Sequence, residues 1–111
     1  MSIFFSATSP LGHPVICKQS TWDGHIIQGH PSMREKHDLA KGAIENPESI
    51  WSSKSHPDNR DVYFAHNAPN DAHTKVVVEN TSEGHFVVSA WFQKEISGNI
   101  GEIKYVKPKL R

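Results

Sequence analysis

His85-Phe86-Val87-Val88-Ser89-Ala90-Trp91-Phe92-Gln93 is the stretch on which the fold turns. Apolar and polar side chains alternate along it with a period of two, which is the signature of a strand with one covered face. That period places Phe86, Val88, Ala90 and Phe92 on the covered side and His85, Val87, Ser89 and Trp91 on the other. The same period runs back to residue 49. It predicts strands over 49–54, 60–66, 74–80, 85–93 and 102–106, separated by Pro57-Asp58-Asn59, Pro69-Asn70-Asp71, Ser82-Glu83-Gly84 and Gly98-Asn99 with Gly101. These breaks carry the residues that turns demand, and short links between successive strands favour an antiparallel meander. On 60–66 the alternation assigns Val62 and Phe64 to the covered face and Asp61, Tyr63 and Ala65 to the opposite one. A Trp, a Tyr and a Ser on an open sheet face suit a ligand surface, since exposed aromatics stack bases. Strands this rich in Val can equally bury both faces, which would make Trp91 core.

Upstream of residue 49 the period becomes helical. Residues 1–14, with Ser, Thr, Gly and two prolines, read as an irregular arm, and Val15-Ile16-Cys17 as a short strand. Thr21 is a candidate N-cap for a helix from Trp22 to Gly29, which must end before Pro31. Ser32-Met33-Arg34-Glu35 has the form of a capping box. Behind it Met33, His37, Ala40 and Ile44 recur at helical spacing until Asn46-Pro47 ends the run. Helices first and strands after is the α+β pattern: two N-terminal helices packed on one face of a four- to five-stranded antiparallel sheet.

The chain has 111 residues, the size of one domain, and a mean hydropathy of −0.55, with no apolar run near the length of a membrane span. It also lacks the basic flank and long apolar stretch of a signal peptide, so a cytoplasmic protein is expected. One cysteine, Cys17, excludes an internal disulfide and a multi-thiolate zinc site. Twelve Lys and Arg balance twelve Asp and Glu, which argues against holding nucleic acid by bulk charge but not against a small phosphate site. The outlier is histidine: eight residues, about three times common usage, in a chain with three arginines.

Trp22-Asp23-Gly24-His25-Ile26-Ile27-Gln28-Gly29-His30-Pro31 concentrates the chemistry. At about 100° per residue Trp22 and Ile26 share a helix face and His25 stands beside it. His30, five residues on, is off that stripe, so the pair lacks the i, i+4 spacing of helical metal ligands and no metal is expected. Taken singly, His30 can cap the helix and His25 can be an exposed helix residue. His13, His56, His66, His73 and His85 fall in loops or at strand ends, where solvated side chains are usual.

The run His25-Ile26-Ile27-x-x-His30-Pro31 after a tryptophan resembles the phage-associated members of the barnase–EndoU–colicin–RelE-like superfamily. The likeness continues through Asn46-Pro47, Ile50, Val62-Tyr63-Phe64, Val76-Val77-Val78 and Val87-Val88-Ser89-Ala90-Trp91-Phe92, so that it covers roughly residues 22–93. These are small metal-independent ribonucleases, often toxins. The resemblance implies an active site on the open sheet face with a helix histidine at its edge. It implies His25 as base or acid, His30 as a weaker partner, Lys54 or Arg60 as the cation for the phosphorane, and Ser89 and Tyr63 as phosphate ligands. Trp91 would stack a base, with His85 and Lys104 nearby on the substrate. The substrate expected is structured RNA such as tRNA, with no cofactor and a cognate antitoxin or immunity protein as partner. The alternative is a module of the same fold that binds RNA or protein without chemistry. The basic run Lys104 to Arg111, ending in the tail 107–111, can hold phosphate or simply be a soluble end.

Overall fold

The computed structural model describes residues 2–109; Met1 of the expected arm and Leu110 and Arg111 of the expected basic tail lie outside the described residues. One mixed sheet of seven strands dominates: β1 (Ile3–Thr8), β2 (Pro14–Lys18), β3 (Ser49–Ser53), β4 (Arg60–Ala68), β5 (Ala72–Thr81), β6 (Gly84–Gln93) and β7 (Ile100–Val106). Their spatial order is β1-β2-β6-β5-β4-β3-β7. Five strand expectations from residue 49 onward thus have counterparts, and β3 to β6 form the expected meander.

The architecture expected around them is corrected. The sheet has seven strands, not four or five, and the two helices are short and preceded by a hairpin. Residues 3–8, read as irregular, pair antiparallel with β2. In β1, Phe5 and Ala7 alternate inward, a pattern too short to stand out beside Ser and Thr. The β1–β2 hairpin then joins the meander through parallel pairing of β2 with β6, Val15 opposite His85 and Ile16 opposite Phe86. At the far edge β7 returns across the sheet to pair with β3.

Helix α1 spans residues 19–29 and widens into a π turn over Trp22–Ile26, with the Ile27 amide donating to the Trp22 carbonyl. It starts at Gln19, so Thr21 lies inside it and caps nothing. Pro31–Met33 forms a 3-10 turn, and helix α2 (His37–Glu45) begins only after it. The capping box does not form. Arg34 is extended and Glu35 sits at φ 62°, a left-handed conformation that no helix turn accepts. Ser32 makes no capping hydrogen bond.

Both helices cover one sheet face. Trp22, Ile26 and Met33 join Ala40, Ala43 and Ile44 of α2 in a core with Val15, Cys17, Ile50, Tyr63, Val76, Val78, Val87 and Ala90. Fully burying each large side chain contributes about 1.5–3 kcal/mol, so this single cluster holds the hairpin, helices and meander together. The face assignments shift here in two ways. Tyr63 and Ala65 belong to the helix-covered core, while Val62 lines the opposite face. On β6 a bulge sets Val77 opposite Ser89 and Val78 opposite Val87, inserting Val88 between them. Val87 and Ala90 therefore both point into the core, and Val88 joins Ser89 and Trp91 on the other face. Both faces of the central strands are covered, so alternation alone did not say which side the helices take.

Candidate functional site

On the face away from the core, a pocket of about 410 Å³ is lined by His25, Ser53, Arg60, Val62, Lys75, Val77, Val88, Ser89, Trp91 and Asn99. Register explains the gathering. Val62 pairs with Val77 and Val77 with Ser89, while Phe64 pairs with Lys75 and Lys75 with Trp91. Cross-strand neighbours on one face lie about 4.5–5.5 Å apart, so two adjacent rows across β4, β5 and β6 build the floor. His25 reaches the rim from the π turn of α1, which buries Trp22 and Ile26 and leaves His25 exposed. π turns often mark functional positions in helices.

Lys75 is the most unusual group in the pocket. It is 4% exposed, and no carboxylate among the described residues lies within ion-pair distance of it. Its ammonium donates to the Ser97 carbonyl at 3.1 Å and lies over the rings of Trp91 at 4.9 Å and Phe64 at 5.4 Å. Cation–π contact compensates part of the lost hydration, and burial lowers the lysine pKa from its ordinary value. The loop after β6 closes over it: Gly98 has φ 103°, and a Cβ there would stand 2.9 Å from Lys75 Nζ. Gln93 Nε2 donates to the Glu95 and Ser97 carbonyls and keeps that loop folded. A buried ammonium without a counter-ion is a group held ready for an anion.

Four of the nine sequence-derived candidates meet here: His25, Arg60, Ser89 and Trp91. Arg60 is held by Glu79, with Nε and Nη2 3.3 and 3.2 Å from one carboxylate oxygen. Trp91 carries Lys75 over its ring and stacks on His30 at 5.2 Å, while its Nε1 donates to Gln93. His30 thus abuts the pocket through Trp91 rather than lining it.

The other four lie elsewhere. Lys54 is exposed in a separate depression with Lys104. Lys104 donates to Asp61 at 2.7 Å and neutralises a carboxylate that is 1% exposed. Tyr63 is buried on the helix side with its hydroxyl in no hydrogen bond of good geometry. Burial pushes its pKa up to about 12, Ser9 tempering the rise and Asp61 adding to it. His85 stacks on His13 at 4.0 Å at the other end of β6, its Nδ1 2.7 Å from Asn80 Oδ1. Its pKa is lowered by burial first and by His13 second, with Asp61 opposing. Lys75, Ser53 and Asn99 are the pocket residues that sequence reasoning missed. The available signal was a lysine beginning the run Lys75-Val76-Val77-Val78, in step with Val77 and otherwise apolar on both faces.

Comparison with protein-family models, with curated proteins and with solved structures gives no match. No helix among the described residues is long and apolar enough to cross a membrane.

Proposed function

We propose that the chain is an endoribonuclease that cleaves by attack of the 2′-hydroxyl, with side chains alone performing the chemistry. The observation that carries this reading is Lys75, a desolvated cation without an anionic partner among the described residues, on the floor of a pocket whose rim holds His25 and whose wall holds Arg60 and Ser89. Such cleavage needs a base for the 2′-hydroxyl proton, a cation for the phosphorane and an acid for the leaving 5′-oxygen. His25 takes the first proton. Lys75 stabilises the phosphorane and, with its lowered pKa, gives its proton to the 5′-oxygen; exchange with water then restores both groups. Ser89, Ser53 and Asn99 supply hydrogen bonds to phosphate oxygens, and Arg60 adds charge at the wall. Trp91, fixed by His30, orders Lys75. In this reading the protein acts in the cytoplasm as a toxin on structured RNA such as tRNA, restrained by a cognate antitoxin or immunity protein.

A second reading, a module that binds RNA or protein without cleaving, draws support from the Glu79 carboxylate that already occupies Arg60. One experiment separates the two. Purified protein is incubated with tRNA in excess EDTA, and with an oligonucleotide carrying a single ribose. Cleavage to a 2′,3′-cyclic phosphate and a 5′-hydroxyl, abolished when that ribose is deoxy, is expected. Cleavage of the all-deoxy strand at a normal rate, or retention of RNA without any cleavage, would overturn the nuclease reading.

A further inference from the structure

Two residues before Lys75, on the same side of β5, His73 belongs to a second polar cluster of different character. One nitrogen of His73, one of His66 and one carboxylate oxygen of Glu48 lie within 4.8 Å of one another. The three come from β5, β4 and the turn before β3, and none of them lines the Lys75 pocket. The rings of His66 and His73 stack with centroids 4.7 Å apart, and the edge of His73 meets Phe64.

The hydrogen bonds assign the protons. His73 Nδ1 lies 2.9 Å from the Lys94 carbonyl, an oxygen that only accepts, so Nδ1 carries the hydrogen. The opposite nitrogen, Nε2, then presents a lone pair 3.4 Å from Glu48 Oε2, which is also an acceptor. Two acceptors facing each other require a cation between or beside them. A proton or a metal ion can supply it, and the second imidazole stacked alongside brings a further nitrogen to the same place. His66 is oriented in turn: its Nε2 lies 2.6 Å from Asp71 Oδ1 and 3.2 Å from the Asp71 carbonyl. That contact is built by two successive left-handed residues, Asn70 at φ 61° and Asp71 at φ 59°, which turn the Asp71 carboxylate back onto the ring. A histidine whose far N–H is held by a carbonyl or carboxylate is the usual outer support of a metal ligand.

We propose that Glu48, His66 and His73 form a binding site for a divalent transition-metal ion of the zinc type, separate from the Lys75 pocket. Two imidazoles and a carboxylate match the donors zinc takes, at about 2.0–2.2 Å each, with one tetrahedral position left for water. Closing the cluster to that size needs movement of Glu48 and His66, whose side chains are 49% and 48% exposed, toward the more fixed His73 at 13%, with His66 shifting its contact with Asp71 as it turns. The site joins β4 and β5, beside the register shift between Ala65 and Ala68, to the residue before β3, so the ion clamps that end of the meander.

Titration of the metal-free full-length chain with Co²⁺ tests this. One equivalent should bind with the visible absorption of four-coordinate cobalt, Zn²⁺ should displace it, and the melting temperature should rise with metal concentration. His66→Ala and Glu48→Gln, at exposed positions where the fold tolerates change, should each weaken binding at least tenfold while melting like the parent without metal. Lys75→Met should bind as the parent does. No binding of either ion at neutral pH, or binding equally strong in both cluster variants, overturns the proposal. Neither result touches the nuclease reading, whose assay runs in EDTA.

Discussion

Lys75 and His73 stand two residues apart on one side of one strand, yet their surroundings ask for opposite charges. Around Lys75 the structure offers aromatic rings, a backbone carbonyl and, among the described residues, no carboxylate within ion-pair distance. Around His73 it offers Glu48, with Asp71 behind His66. Phe64 touches both groups and divides them. The contrast teaches that the same strand surface becomes an anion site or a cation site according to which counter-charges are withheld. At Lys75 the loop over 94–99 offers the Ser97 carbonyl. At His73 the residue before β3, Glu48, delivers an acid, and the turn over 69–71 delivers Asp71 to the neighbouring His66.

The strongest way to break that contrast is Lys75→Met, which keeps the length and apolar stem and deletes the charge. RNA cleavage should fall by about 10²–10³, as when a preorganised charge-stabilising group is lost. The melting temperature should hold or rise, because an uncompensated buried charge is removed. A folded and fully active Lys75→Met protein would show that the pocket does not take its anion through this group. The next largest effect belongs to His25. His25→Ala and His25→Gln should each lower kcat by about 10² with no change in melting, since neither replacement titrates and the side chain is exposed. Activity that returns in His25→Gln would reduce the histidine to a hydrogen-bonding role.

The stacked pair His13 and His85 sharpens the comparison from a third location. The lowered pKa of His85 means that the native state resists its protonation more than the unfolded chain does. Stability is therefore intact above the ordinary histidine pKa of about 6.5 and declines as pH falls from there through the lowered value. Chemical denaturation across pH 5–8 should show that decline in the parent and a shallower one in His85→Asn. Equal slopes in the two proteins would remove His85 as the source. The smallest effect is expected at Ser32. It is exposed and caps nothing, so Ser32→Ala should move the unfolding free energy by less than about 0.5 kcal/mol, against the roughly 1 kcal/mol a working N-cap would cost.

Much of the meander was legible because β3 to β6 carry a period of two between unmistakable turn residues. The Asn46-Pro47 stop was equally plain, since proline refuses the helix. What escaped was non-local. Phe5 and Ala7 point inward only because β2 lies beside them, and β2 finds its place only through β6. Glu35 looks like half of a capping box until the chain after Met33 is forced left-handed there. Trp22, His25 and Ile26 were placed on the correct sides of α1, and the rim position of His25 followed. Lys75 was invisible as a site residue because its meaning lies in Phe64, Trp91 and Gly98, which reach it from two neighbouring strands and a loop. The bulge at Val88 reversed part of β6 for the same reason: nothing in a strand's own alternation announces where its partner skips a residue.

The parallel join between β2 and β6 has a consequence for the order in which this molecule can come into being. About 70 residues separate Ile16 from its partner Phe86, a longer closure than that of β7 with β3 and the longest that neighbouring strands require here. The meander closes through local turns and can form quickly, whereas the hairpin must wait for β6 to exist. During synthesis Val15 and Cys17, both fully buried at the end, are made well before β6, the strand that β2 docks against. Until then the Cys17 thiol, whose pKa burial raises to about 12 in the finished protein, is an ordinary reactive one. A thiol reagent present during refolding would thus act as a clock: labelling of Cys17 would stop at the moment the hairpin docks.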